Sequence, residues 1–175
     1  MKLWQILSPN LLAESKKLTE GSGVFLPLPK EISEHYPSKK EDSSPQHITI
    51  IYFGNIPSKD RLLYRKAVQN AVNKIDKIGE CEIGKKKYMN HENQTIAYNP
   101  IKCEKLKELR KNIIKNCKEM NLEIKDEFKN EYVMHTTIAY LDKGSKCDEE
   151  GYSGKFNPTN IEIWGFEKNM KIELE

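Results

Sequence analysis

The chain has 175 residues, enough for one domain with a core and a cleft, and its 31% charged against 37% hydrophobic residues describe a wet but foldable globular protein. A formal charge of +3, from 29 basic and 26 acidic residues, is too mild to announce a nucleic-acid-binding surface, and Arg61, Arg65 and Arg110 are few candidates for a bidentate phosphate clamp. No apolar run approaches bilayer length, Leu3 to Leu7 is too short for a signal-peptide core, and Cys81, Cys103, Cys117 and Cys147 form neither a C-x-x-C pair nor a zinc spacing, so a reduced, soluble, cytoplasmic protein with no membrane partner is expected.

Residues up to Leu18 are expected to form a short helix with Pro9 near its start, broken by Gly21-Ser22-Gly23. This sets off residues 1–20 as an N-terminal extension from a domain over 21–175. Gly23 to Leu28 reads as a strand, and Lys30 to Gln46 as a polar, mobile loop with a helical turn or two at Glu31 to Tyr36. HITIIYF, His47 to Phe53, is a rich strand signal closed by Gly54 and Pro57. A helix capped by Ser58 should follow, burying Leu63, Ala67, Ala71 and Ile75 with Tyr64, Val68 and Val72 beside them.

Cys81 to Met89 and Gln94 to Tyr98 read as two strands around a polar turn. Asn99-Pro100 then opens a second amphipathic helix with Leu106, Leu109, Ile113, Cys117 and Met120 on its apolar side. Strands at Tyr132 to Leu141, Ile161 to Phe166 and Met170 to Leu174 complete the chain, the last two antiparallel. Strands and helices thus come in two similar passes, an α+β arrangement with sheets meeting at a central cleft.

Two of the four histidines open matching strands: His47-Ile48-Thr49 in HITIIYFG and His135-Thr136-Thr137 in HTTIAYL. Side chains alternate along a strand, so each His and the Thr two residues on face the same side while Ile48, Ile50 and Tyr52, and later Ile138 and Tyr140, are expected to face the helices. That set suits phosphodiester chemistry. One imidazole can take the proton of the attacking oxygen, the other can supply one to the leaving oxygen, and threonine hydroxyls can donate to the nonbridging oxygens. Neither triplet has an acidic neighbour, so no metal and no cofactor are called for. His35 and His91 lie in polar segments and read as solvated, Lys85 to Lys87 as a solvated strand edge, and Tyr88, Tyr98 and Trp164 as core aromatics that could otherwise stack a base.

The two His-x-Thr motifs, their strand contexts and their separation resemble the two-histidine (2H) phosphoesterase superfamily, close to its RNA 2',3'-cyclic phosphodiesterase and 2'-5' RNA ligase branch, from about Gly23 to the C-terminus. The resemblance implies a two-lobed, pseudo-symmetric fold with antiparallel sheets lining a central cleft and helices outside. It makes His47 and His135 the catalytic acid and base and Thr49 and Thr137 the phosphate ligands. The implied partner is a nucleotide, a cyclic oligonucleotide or an RNA end: 2',3'-cyclic ends, 2'-5' links, or cyclic messengers of the kind some viral members destroy. A monomer is expected, and a non-catalytic nucleotide- or RNA-binding module of the same fold is the alternative. Two departures stand out: Met134 where the family often has Pro, and Thr136 in place of an apolar residue, which aims a hydroxyl at the core.

Overall fold

The computed structural model describes residues 18–37, 45–125, 132–165 and 169–174. The expected N-terminal helix lies outside them, apart from Leu18, which already belongs to a strand. In chain order the elements are β1 (Leu18–Pro27), α1 (Lys30–Ser33), β2 (His47–Pro57), a 3-10 turn (Ser58–Asp60), α2 (Arg61–Val72), β3 (Cys81–Ile83), β4 (Lys87–His91), β5 (Gln94–Lys102), α3 (Glu104–Glu119), β6 (His135–Asp142), β7 (Gly154–Phe156), β8 (Asn160–Trp164) and β9 (Met170–Glu173).

The strands follow one antiparallel path, β7-β3-β5-β6-β2-β1-β8-β9, with β4 also on β5. It divides into two four-strand halves that meet where β2 lies against β6, and each half brings one His-x-Thr strand to the join. The α+β architecture read from the sequence is the observed one. In β1, β2 and β8 alternate residues form the floor of the core: Val24, Leu26, Ile48, Ile50, Ile161 and Ile163 are all 1% exposed or less. Helix α3 adds Leu106, Leu109, Ile113 and Cys117 to the same core and packs on α2 and β2.

Several local readings are corrected. Ser58 opens the 3-10 turn, and α2 starts three residues later with Asp60 at its N-cap position. The buried stripe of α2 is Tyr64, Ala67, Val68 and Ala71, the i, i+3, i+4, i+7 pattern, which rotates Leu63 out to 43% exposure. Asn99-Pro100 lies inside β5 and α3 starts at Glu104. Pairing decides this, since Pro100 sits opposite His135 and Ile101 N–H donates to the Met134 carbonyl at 2.8 Å. The expected strand Cys81 to Met89 is split at Gly84 to Lys86, where Gly84 N–H donates to the Pro100 carbonyl.

The loop read over Lys30 to Gln46 begins as α1, and Tyr36 is buried; residues 38–44 lie outside the described ones. Cys81 and Cys103, expected as separate thiols, are disulfide-bonded, because the pairing of Glu82 with Lys102 sets them directly across two adjacent strands, Cα to Cα 4.8 Å. Among the described residues no helix is long and apolar enough to cross a membrane.

Candidate active site

The register between β2 and β6 builds the site. Ile48 pairs with Thr136, so in this antiparallel pair His47 falls opposite Thr137 and Thr49 opposite His135. Residues directly opposite share a face. All four polar groups therefore lie on the side away from the core, and all four are partly exposed while Ile48 and Thr136 are buried to 0% and 1%. The two histidines stand diagonally across the strand pair, a relation that spaces Cα atoms by roughly 7–8 Å.

Both rings are held in the same way. His47 Nδ1 lies 2.8 Å from the Pro45 carbonyl and His135 Nδ1 lies 2.7 Å from the Val133 carbonyl. A carbonyl only accepts, so Nδ1 carries the hydrogen in each, which makes Nε2 the basic nitrogen of the neutral ring. Burial pushes the His135 pKa below its ordinary value, and the Val133 carbonyl, which favours the imidazolium, opposes this less strongly. Aromatic rings flank both: Phe25 and Trp164 at His47, and Tyr98 edge-on to His135 at 5.4 Å.

The strands part beyond the join, and side chains take over the hydrogen bonding of β2. The Tyr132 hydroxyl donates to the Thr49 carbonyl, and Arg110 Nη1 donates to the Ile50 carbonyl at 2.8 Å. Arg110 also lies over the Tyr132 ring, 3.7 Å from its centroid. On the other side of the join Gln46 Nε2 donates to Thr136 Oγ1 at 2.7 Å and to the Thr137 carbonyl at 2.6 Å. The hydroxyl that Thr136 aims at the core thus has a partner, and Gln46 ties one triplet to the other.

The family model described as the 2'-5' RNA ligase superfamily matches residues 26–149, most of the chain and both triplets. The chain belongs to that superfamily, the two-histidine phosphoesterases. No curated protein sequence matches it. Solved structures share the fold at low identity. TT0787 of Thermus thermophilus has a TM-score of 0.63 and 12% identity, over 89% of this chain and 95% of that one. E. coli LigT complexed with 3'-AMP has 0.58 and 11%, over 91% and 97%, and the MHV ns2 PDE domain has 0.55 and 12%, over 82% and 97%.

In this 2H chain the sequence does not single out Gln46 and Tyr132, and it offers Arg110 only as a candidate phosphate clamp, whereas the buried Arg110 binds the Ile50 carbonyl. Their partners lie far off along the chain, and no local pattern reveals them. His91 closes β4, and exposed His35 lies by Tyr152, rings 5.3 Å apart. Lys86 is not a solvated edge residue. Its ammonium donates to the Cys147 and Glu149 carbonyls at 2.8 and 3.0 Å and lies 2.7 Å from Glu150 Oε1, which holds the loop before β7. A cleft of about 830 Å³ lined by Phe53, Asp60, Tyr64 and Lys125 opens at the far end of β2 and touches neither triplet. Its lining includes the carboxylates Asp60 and Glu123 but no histidine, whereas both imidazoles lie on the open sheet face. Among the described residues no three His, Cys, Asp or Glu side chains are grouped to hold a metal.

Proposed function

We propose that residues 21–175 form a metal-independent phosphodiesterase domain that cleaves nucleotide or RNA phosphodiesters, with His47 and His135 as acid and base and Thr49 and Thr137 as donors to the phosphate. The observation that carries this is the pairing of Ile48 with Thr136, which presents two imidazoles and two hydroxyls on one open face with both Nδ1 atoms engaged. The substrate class takes support from relatives: LigT was solved with 3'-AMP, ATP and NADP+, and the MHV protein is named a PDE domain.

In a 3'-5' linkage the adjacent 2'-hydroxyl is the nearest nucleophile. One histidine takes its proton, the other protonates the departing 5'-oxygen, and a 2',3'-cyclic phosphate results. With a 2',3'-cyclic substrate the attacker is water, activated by the same base. Burial holds His135 toward its neutral form, the form in which an imidazole can start as the base.

The test is a panel of a 2',3'-cyclic RNA end, a 2'-5' oligonucleotide and a cyclic oligonucleotide, incubated with pure protein in excess EDTA and read by chromatography. Turnover of at least one class is expected. Activity that EDTA removes and magnesium or manganese restores would sink the metal-free mechanism. Binding without turnover of any class would leave a nucleotide-binding module.

A further inference from the structure

Beside the four polar residues, the open face carries an aromatic group that the proton transfers do not use. Phe25 and Trp164 are stacked, ring centroids 4.4 Å apart and planes 22° apart, and each meets the His47 ring edge-on, at 5.1 and 4.8 Å. The register puts them there. Phe25 lies opposite Thr49, and Trp164 lies opposite Gly23, two residues before Phe25 on the same face of β1. Trp164 Nε1 donates to Glu162 Oε2 at 2.6 Å, which fixes the indole plane.

Burial separates the roles of the two rings. Phe25 is a floor at 7% exposure, whereas Trp164 remains partly open to solvent although its neighbour Ile163 is 0% exposed. An aromatic that served only the core would occupy the other parity of β8, where Ile161 and Ile163 already sit. Tyr98 at His135 offers nothing equivalent, being 8% exposed and edge-on.

We propose that Trp164, backed by Phe25, is a stacking shelf for the nucleobase of the substrate on the His47 side of the site. The proposal rests on the phosphodiesterase reading for its ligand class and deepens it. The sugar of a nucleotide sets its base beside its phosphate, and a shelf that begins at the His47 ring receives a base whose phosphate lies between the imidazoles. Every base has a π-face, so the shelf prefers base-bearing over base-free esters without choosing one base.

A Trp4→Phe background leaves Trp164 as the sole tryptophan, since the chain has two. Adenosine 3'-monophosphate should quench its emission and ribose 5-phosphate should not. By calorimetry Trp164→Ala should weaken adenosine 3'-monophosphate on the order of 10- to 100-fold, the size of one lost base–aromatic stack, and Trp164→Phe should recover most of it. Equal quenching by both ligands, no binding of adenosine 3'-monophosphate, or unchanged affinity in a folded Trp164→Ala protein overturns the shelf. The quenching arm leaves position 164 intact and decides the matter even if that variant fails to fold. Quenching without turnover of any ester would keep the shelf and remove the phosphodiesterase reading, and turnover without quenching would do the reverse.

Discussion

Ile48 and Thr136 hold the middle position of their triplets and face each other across the join, yet they rest on different floors. Beneath the first triplet lie Leu26, Val24, Ile163 and the apolar side of helix α3, Leu106, Leu109 and Ile113, all buried, with Arg110 of that helix as the polar exception, bound to the Ile50 carbonyl. Beneath the second the support is hydrogen-bonded. Gln46 reaches Thr136, and Asn99, opposite Thr136 on β5, accepts from the Tyr36 hydroxyl at 2.9 Å and donates to the carbonyls of Gly84 and Glu150. The loop before β7 presses so closely that a Cβ on Gly151 would lie 2.1 Å from Asn99 Oδ1. Two supports of different physics thus present the same pair of side chains. Packing tolerates changes of polarity poorly, and a hydrogen-bonded floor fails when a single partner is lost.

The proposed chemistry treats the triplets alike despite their floors, and the largest effects should be symmetric. His47→Ala and His135→Ala are each expected to lower kcat on the best substrate by on the order of 100-fold or more while leaving the far-UV circular dichroism unchanged. A histidine variant that keeps near wild-type turnover would break the symmetry and with it the two-proton mechanism.

The floors themselves should respond differently. Ile48→Ala leaves a cavity in the apolar core and is expected to cost about 2–4 kcal/mol in urea unfolding. Thr136→Val keeps the shape and removes the acceptor of Gln46, a loss of about 1–2 kcal/mol. Adding Gln46→Leu to Thr136→Val should restore part of that, because the stranded amide is gone as well. A double variant no better than the sum of the singles would show that Gln46 and Thr136 are not coupled.

Activity should fall less for the hydroxyls than for the imidazoles. Thr49→Ala and Thr137→Ala each remove one donor to the phosphate, worth on the order of tenfold in kcat/KM, and Thr→Ser at either position should recover most of it. Loss equal to that of the histidine variants would assign the threonines a larger part than charge stabilisation.

How much of this could be read from the chain follows the same division. The alternation in HITI and HTTI and the apolar side of α3 are local, and the strands opened by His47 and His135 and the buried Leu106, Leu109, Ile113 and Cys117 follow those patterns, although α3 starts at Glu104 and β6 at His135, not at Asn99 and Tyr132. What failed depends on partners distant in sequence. Asn99-Pro100 has the local chemistry of a helix start, yet β5 continues through it because β6 and Gly84 supply its pairing. The Lys85 to Lys87 run looks solvated until the carbonyls of Cys147 and Glu149 and the Glu150 carboxylate meet Lys86. Thr136 looked like a hydroxyl misplaced in the core for want of Gln46. The apolar floor was legible because burial leaves a period in the sequence, and the hydrogen-bonded floor was not.

The smallest expected effect is a dependence on pH carried by His135. Burial holds its folded pKa below the unfolded value of 6.5, the Val133 carbonyl opposing this only in part. Above 6.5 the ring is neutral in both states and the stability it permits is fully present. As pH falls below 6.5 the unfolded chain takes up the proton first, so stability declines, and the decline ends once pH is below the folded pKa. Thermal melting between pH 7.5 and 5 should therefore show a drop on the acidic side, with a slope from this group of at most about 1.4 kcal/mol per pH unit. His135→Gln retains an N–H donor for Val133 but cannot take up the proton, and it should flatten that drop. His47→Gln serves as the comparison at the other triplet. A His135→Gln melting profile that falls as steeply as the wild type would mean that the desolvation of this ring is not what sets the acid sensitivity.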